Sequence, residues 1–215
     1  MKIAIIGAAG KAGTHLLNEA ILRQLDVTAI VKNVATLSVD NVSTIGKNLF
    51  DLTKGDLVPF DIIINAFAPL PGEEHLHISA GHHLISLLEG TTKKLFVIGC
   101  SGCLFVDGGK TTRLMEEEEY PQDLLDTSKA QLQNLQNLEN ASIQWTYVIP
   151  SAMFDSEGPR TGHYLKGGDQ VLVNSQFNSY ISYADFAVAM LDEIEKNEHP
   201  NTCFTVVSEN VTAAS

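Results

Sequence analysis

The stretch Lys2–Asn33, KIAIIGAAGKAGTHLLNEAILRQLDVTAIVKN, constrains this chain more than any other. Lys2–Ile6 is a short β-branched run that meets Gly7, and Gly10 and Gly13 follow at intervals of three. Between Thr14 and Leu25, the apolar residues Leu16, Leu17, Ala20, Ile21 and Leu25 recur at helical spacing, and Val27–Val31 is a second apolar strand. A strand that turns through glycines into a helix leaves backbone N–H groups free at the positive end of the helix dipole. Such a place favours a pyrophosphate and hence a nucleotide cofactor.

The turn reads Gly7-Ala8-Ala9-Gly10-Lys11-Ala12-Gly13, a G-x-x-G-x-x-G spacing rather than the common G-x-G-x-x-G. Gly7 makes the tight exit from the strand, Gly10 lets backbone approach the phosphates, and Gly13 lets the helix pack close to the sheet. Ala8, Ala9 and Ala12 keep the turn small. Three glycines alone also suit a plain strand–helix turn; the strand–turn–helix–strand context favours the phosphate site. The second strand ends in Val31-Lys32-Asn33, with no carboxylate for a ribose 2′-hydroxyl. Lys32 and Lys11 instead suit a 2′-phosphate, so the expected cofactor is NADP(H), with NAD(H) the alternative. A strand-end lysine is also commonly a solvated charge.

Composition narrows the partners. A chain of 215 residues, 44% hydrophobic, has enough apolar surface for one soluble domain. Its net charge of −12 argues against nucleic acid and anionic membrane surfaces. No apolar run approaches the ~20 residues of a membrane span, and the apolar N-terminus is too short for a signal segment. Together with an odd number of cysteines, three, this predicts a cytoplasmic protein. Cys100-Ser101-Gly102-Cys103 has redox-pair or half-metal-site spacing, but no second pair completes a zinc site, and small buried thiols are common in cores. His75, His77, His82 and His83 lack the i, i+4 ligand spacing, so no metal is expected.

The rest of the chain alternates strands and helices: strands at Asn41–Ile45, Phe60–Ala68, Lys94–Gly99 and Trp145–Pro150, helices at Glu74–Glu89 and Asp123–Leu138. This order predicts an α/β fold, a Rossmann-like doubly wound parallel sheet with a small C-terminal substrate lobe. Residues 1–215 read as a single domain, with 151–180 a small acceptor-binding insertion. Ligands sit at the carboxyl ends of such strands. That rule selects Asp51, Leu52, Ala66, Phe67, Ala68, Gly99, Cys100 and Pro150 for the cofactor, beside the glycine turn. Phe154, His163 and Tyr164 are the expected wall over a planar ring in a glycine-rich segment. Glu116–Glu119 reads as a solvated loop, and Ser182-Tyr183-Ala184-Asp185 as a capping-box start of a late structural helix.

Several stretches together, IAIIGAAGKAG, INAFAP, WTYVIPSAMF, RTGHYLKGGD and YISYADFAVAMLDEIE, resemble the atypical short-chain dehydrogenase/reductases. Within that group they are similar to the NADH-flavin reductase-like, NmrA-like NAD(P)-binding proteins. The resemblance covers nearly the whole length. It implies a Rossmann-like core that binds NAD(P)H and reduces a small organic acceptor, a flavin or quinone. The wider family places a Ser beside a Tyr-x-x-x-Lys pair whose lysine lowers the tyrosine pKa. Ser101 matches the serine, and Lys129 is the candidate lysine. Tyr120, a weaker candidate, stands nine residues before it with Pro121 between, so the pair is not reproduced. Hydride transfer to a ring needs no obligatory protein acid and rests on positioning.

Two classes of function follow: an NAD(P)H-dependent reductase of a small-molecule ring acceptor, working as a monomer or homodimer, or a non-catalytic NADP(H) sensor. An isomerase using tightly held NAD is a minor third, disfavoured by the missing Tyr-x-x-x-Lys.

Overall fold

Alternation within β1 (Lys2–Ile6) builds both faces of the fold. Ile3 and Ile5 share one apolar core with Leu16 and Leu17 of α1 (Lys11–Leu22), whereas Ala4 and Ile6 share the opposite one with Leu84 and Leu135. A strand buried on both sides belongs at the centre of a parallel sheet. The computed structural model describes residues 1–39 and 41–209, so Asp40 and residues 210–215 of the expected single domain lie outside the described residues.

The chain continues through β2 (Asp26–Val31), β3 (Ser43–Gly46), the short α2 (Lys54–Leu57), β4 (Ile62–Asn65) and α3 (Leu76–Leu88). Next come β5 (Lys94–Ile98), α4 (Gln122–Glu139) and β6 (Gln144–Ile149). The last elements are β7 (Met153–Asp155), β8 (Leu165–Gly167), β9 (Tyr180–Ser182), α5 (Tyr183–Lys196) and β10 (Thr202–Val207). Strand order in the main sheet is β3-β2-β1-β4-β5-β6-β10-β8, parallel throughout except for β8 against β10. This is the doubly wound, Rossmann-like architecture expected from the sequence, with α1 and α5 on one face and α3 and α4 on the other.

Boundaries shift for local reasons. Helix α1 starts at Lys11, three residues before the expected Thr14, because the glycine turn itself is the helix start. It stops at Leu22, where Gln24 takes a left-handed φ of 57°. The strand expected over residues 60–68 is only β4, because the Asn65 side chain accepts from Phe67 N at 3.2 Å and bends the chain away from the sheet.

Residues 151–180 are stitched to the main body rather than set apart from it. Strand β7 pairs with β9, and β8 forms an edge of the main sheet. Buried Asp185 ties down the turn between β7 and β8: its carboxylate accepts from Thr161 N at 2.8 Å, Thr161 Oγ1 at 2.6 Å and Gly162 N at 2.8 Å. Only half of the expected capping box forms. Ser182 Oγ accepts from Asp185 N at 2.9 Å, while the Asp185 carboxylate serves the loop instead. Arg160 grips buried Glu19 on α1 at 2.7 and 2.9 Å, holding that carboxyl below its ordinary pKa. Replacing Asp185 strands several donors at once. D185A is therefore expected to lower unfolding free energy by about 3 kcal/mol, read by urea denaturation.

Candidate functional site

The turn after β1 is shaped by contact between backbones. Gly7 has a left-handed φ of +78°, and a side chain there would meet Ala66 O at 2.7 Å. A Cβ on Gly13 would fall 2.1 Å from Gly7 O. Only glycine lets α1 begin so close under the strand end. Gly10 offers no side-chain cap, and the first turn of α1 carries no acidic residue. The helix therefore presents uncapped N–H groups and an uncompensated positive dipole to the cleft, a donor set that fits a pyrophosphate.

That cleft, about 470 Å³, runs along the carboxyl ends of β1, β4, β5 and β6. It brings together Gly10, Lys11, Ala12, Ala66, Phe67, Ala68, Gly99, Cys100, Ser101, Pro150 and Phe154, all expected from the sequence. Gly7, Ala9 and Gly13 shape the turn beneath it. Lys32 and Asn33 follow β2 and are exposed; the Asn33 side-chain oxygen accepts from Ala35 N at 3.0 Å. Asp51 is exposed in a short turn, and Leu52 is buried with its carbonyl bonded to His83 Nε2 at 3.0 Å.

Other expected residues lie elsewhere. Lys129 faces solvent on α4 and pairs with Asp126 at 3.6 Å, so it does not line the cleft. Helical geometry sends it away: its neighbour Ser128 occupies the cleft side. His163 and Tyr164 border a different cavity of about 370 Å³ that shares no lining residue with the cofactor cleft. The Tyr164 hydroxyl donates to Asp192 at 2.7 Å, which ties that ring to α5.

The structure strengthens Tyr120, the weaker sequence candidate, and adds Tyr183, Thr127, Ser128 and Gln131 to the cleft. Tyr120 is buried, and its hydroxyl shares a 2.7 Å hydrogen bond with Ser128 Oγ. Burial pushes its phenol above the ordinary range, so it stays protonated and able to donate. Tyr183 lies against Phe154, ring centroids 3.7 Å apart, and both reach the cleft. The signal was the spacing Leu124, Thr127, Ser128, Gln131 on α4, a helical stripe with polar members where burial was due.

A second cavity, about 670 Å³, adjoins the first. Ser101, Tyr120, Leu124 and Ala152 line both. Val106, Leu114 and Met153 give it an apolar wall, and exposed Glu117 and Glu119 stand on it. The loop carrying these residues is held by bridges from Phe105 to Arg113 and Gln170, with the Arg113 guanidinium 4.1 Å over the Phe105 ring.

His77 on α3 also lines the cleft, edge-on to Phe67. Burial lowers its imidazole from 6.5 to about 4, against a smaller upward pull from Glu74. The unfolded chain therefore takes up this proton near 6.5 and the folded chain only near 4. His77 thus contributes a loss of stability as pH falls through that window and none above it. An NMR titration should give a His77 ring midpoint of about 4, and H77Q should flatten the stability curve over the window between that value and 6.5.

The NAD(P)H-binding family model matches residues 7–196, and the chain belongs to that family. YwnB of Bacillus subtilis strain 168, whose name states no activity, is 51% identical over 211 residues, spanning 97% of this chain and 99% of YwnB. The chain is similar in structure to a Streptococcus pneumoniae protein provisionally named an NADH-flavin reductase, at 36% identity, TM-score 0.93, and 97% and 100% coverage of this chain and that one. It is also similar to a Bacteroides thetaiotaomicron protein provisionally named an epimerase, at 30% identity, TM-score 0.84 and 98% coverage of each. Among the described residues no helix is long and apolar enough to cross a membrane.

Proposed function

We propose that this protein is an NADP(H)-dependent reductase that passes a hydride to a neutral, planar ring acceptor such as a quinone or an unphosphorylated flavin. The observation that carries this reading is the junction of two cavities at Ser101 and Tyr120, one beside the uncapped helix start and one apolar. The bound nicotinamide supplies the hydride. The chain's own work is to hold two rings face to face and keep bulk water from between them. Tyr120, kept protonated by burial, is placed to donate to an acceptor oxygen. Residues Ala152 and Met153, at the start of the 151–180 segment, form part of the acceptor wall together with the 106–120 loop. The name of the Streptococcus pneumoniae relative points the same way.

Lys32 and Lys11 support a 2′-phosphate: both are exposed, and neither has an ion-pair partner among the described residues. NADPH is expected to raise the melting temperature more than NADH. K32E should weaken NADPH about tenfold and leave NADH nearly unchanged, as measured by calorimetric titration. Equal responses of the native chain to both cofactors would remove the role of Lys32.

Glu117 and Glu119 place negative charge on the acceptor cavity, so a phosphorylated flavin is repelled where its unphosphorylated form is not. Native protein should oxidise NADPH faster with riboflavin or a neutral quinone than with flavin mononucleotide. The E117Q/E119Q pair should narrow that gap about threefold or more, the effect being largest at low salt. A second reading, a cofactor-occupied sensor, is favoured by the solvent-facing position of Lys129, which leaves Tyr120 without a lysine. Stabilisation by NADPH without turnover of any of these acceptors would decide for it.

A further inference from the structure

Cys100 is expected beside the cofactor, but the thiol chemistry of the C-x-x-C pair at the end of β5 has no part in the cofactor or the acceptor reading. Cys100 Sγ and Cys103 Sγ lie 3.4 Å apart, and both are free thiols. Cys100 is half-buried and opens on the cofactor cleft, whereas Cys103 is buried behind it. A disulfide needs its sulfurs at about 2.05 Å, so closure requires an approach of little more than an ångström. Cys203, on β10, makes no sulfur–sulfur contact of this kind.

We propose that Cys100 and Cys103 form a reversible dithiol–disulfide pair on the wall of the cofactor cleft, with Cys100 the attacking thiol and Cys103 the resolving one. The oxidant is a small-molecule disulfide. The Cys100 thiolate attacks one sulfur of that disulfide, forming a mixed disulfide and expelling a thiolate that takes up a proton. Cys103 then gives up its proton and attacks Cys100 Sγ, forming the internal bond and expelling the second thiolate. Two protein thiols are oxidised and one disulfide is reduced to two thiols.

The surroundings assign the order. Hydrogen bonds with the neighbouring Cys103 thiol, with Ser128 Oγ, to which the Cys100 thiol donates, and with the N–H groups of Cys103 and Gly102 hold the Cys100 pKa below its ordinary value against burial. Bonding to Cys100 and burial push Cys103 well above it. Burial moves Cys203 up to about 11, which leaves it unreactive. Access agrees, because only Cys100 of the pair opens on a cavity that admits a small molecule. Oxidation removes the thiol hydrogen that Cys100 donates to Ser128 Oγ at 3.5 Å, and Ser128 is the hydrogen-bond partner of Tyr120.

The test is incubation of the full chain with oxidised glutathione, followed by intact mass and alkylation under denaturing conditions. The expected product has lost two hydrogens, carries no glutathione, leaves only Cys203 to alkylate, and returns to the starting mass with dithiothreitol. C103S, and C103A as an apolar control for the buried site, should instead retain one glutathione on Cys100, while C100S takes up none at Cys103. Three alkylatable thiols after oxidation, or glutathione found on Cys203 alone, would overturn the pairing. Equally fast modification of Cys103 in C100S would overturn the order. These readouts use neither cofactor nor acceptor, so they stand apart from the reductase reading.

Discussion

The packing of Gly13 against the carbonyl of Gly7 is the contact on which the rest of the molecule depends. It sets α1 directly beneath the end of β1, and so decides where the helix dipole points and how wide the adjoining cleft is. Any side chain at Gly13 would drive the helix away from the strand. The apolar layer of Leu16, Leu17 and Ala20 against Ile3 and Ile5 would then separate, together with the α1–α5 packing above it. Stability and the shape of the cleft therefore share one backbone approach, and neither can be altered there without the other.

A second level of organisation is the fastening of the C-terminal region to this frame. Glu19 on α1, gripped by Arg160, and Asp185 on α5, holding the Thr161–Gly162 turn, anchor a segment with little regular structure of its own. Charged groups do here what an apolar core does in the sheet. Buried carboxylates with every partner in place define one loop path, whereas an apolar contact would permit several. The wall formed by Ala152, Met153 and Phe154 is held at its far end by those anchors.

The sheet was legible because strands buried on both faces read as near-continuous apolar runs rich in β-branched residues, as Ile62-Ile63-Ile64 and Thr146–Ile149 do. The glycine turn was legible because its chemistry is local. The second cavity was not, because its residues come from a loop without periodicity whose shape depends on Phe105 meeting Arg113 and Gln170, a contact distant in sequence. Tyr120 is only a weaker candidate in the sequence for a related reason: it stands nine residues from Lys129 and outside the helix, and nothing local announces that its side chain turns inward to Ser128. His163 and Tyr164 are expected at the ring site because they can cover a planar ring from a glycine-rich segment. Tyr164 is instead drawn toward Asp192.

The far edge of the main sheet is β8, only three residues long, and its Lys166 ammonium is shared between Glu193 at 2.9 Å and Glu198 at 2.8 Å. A short edge with a committed charge is a poor template for another strand. The opposite edge, β3, is four residues and ends at a glycine. Neither edge of the eight-stranded sheet therefore favours the addition of a strand from a neighbouring molecule. Self-association, where it occurs, is left to helix faces and loops, and the sheet's carboxyl end stays open to small molecules.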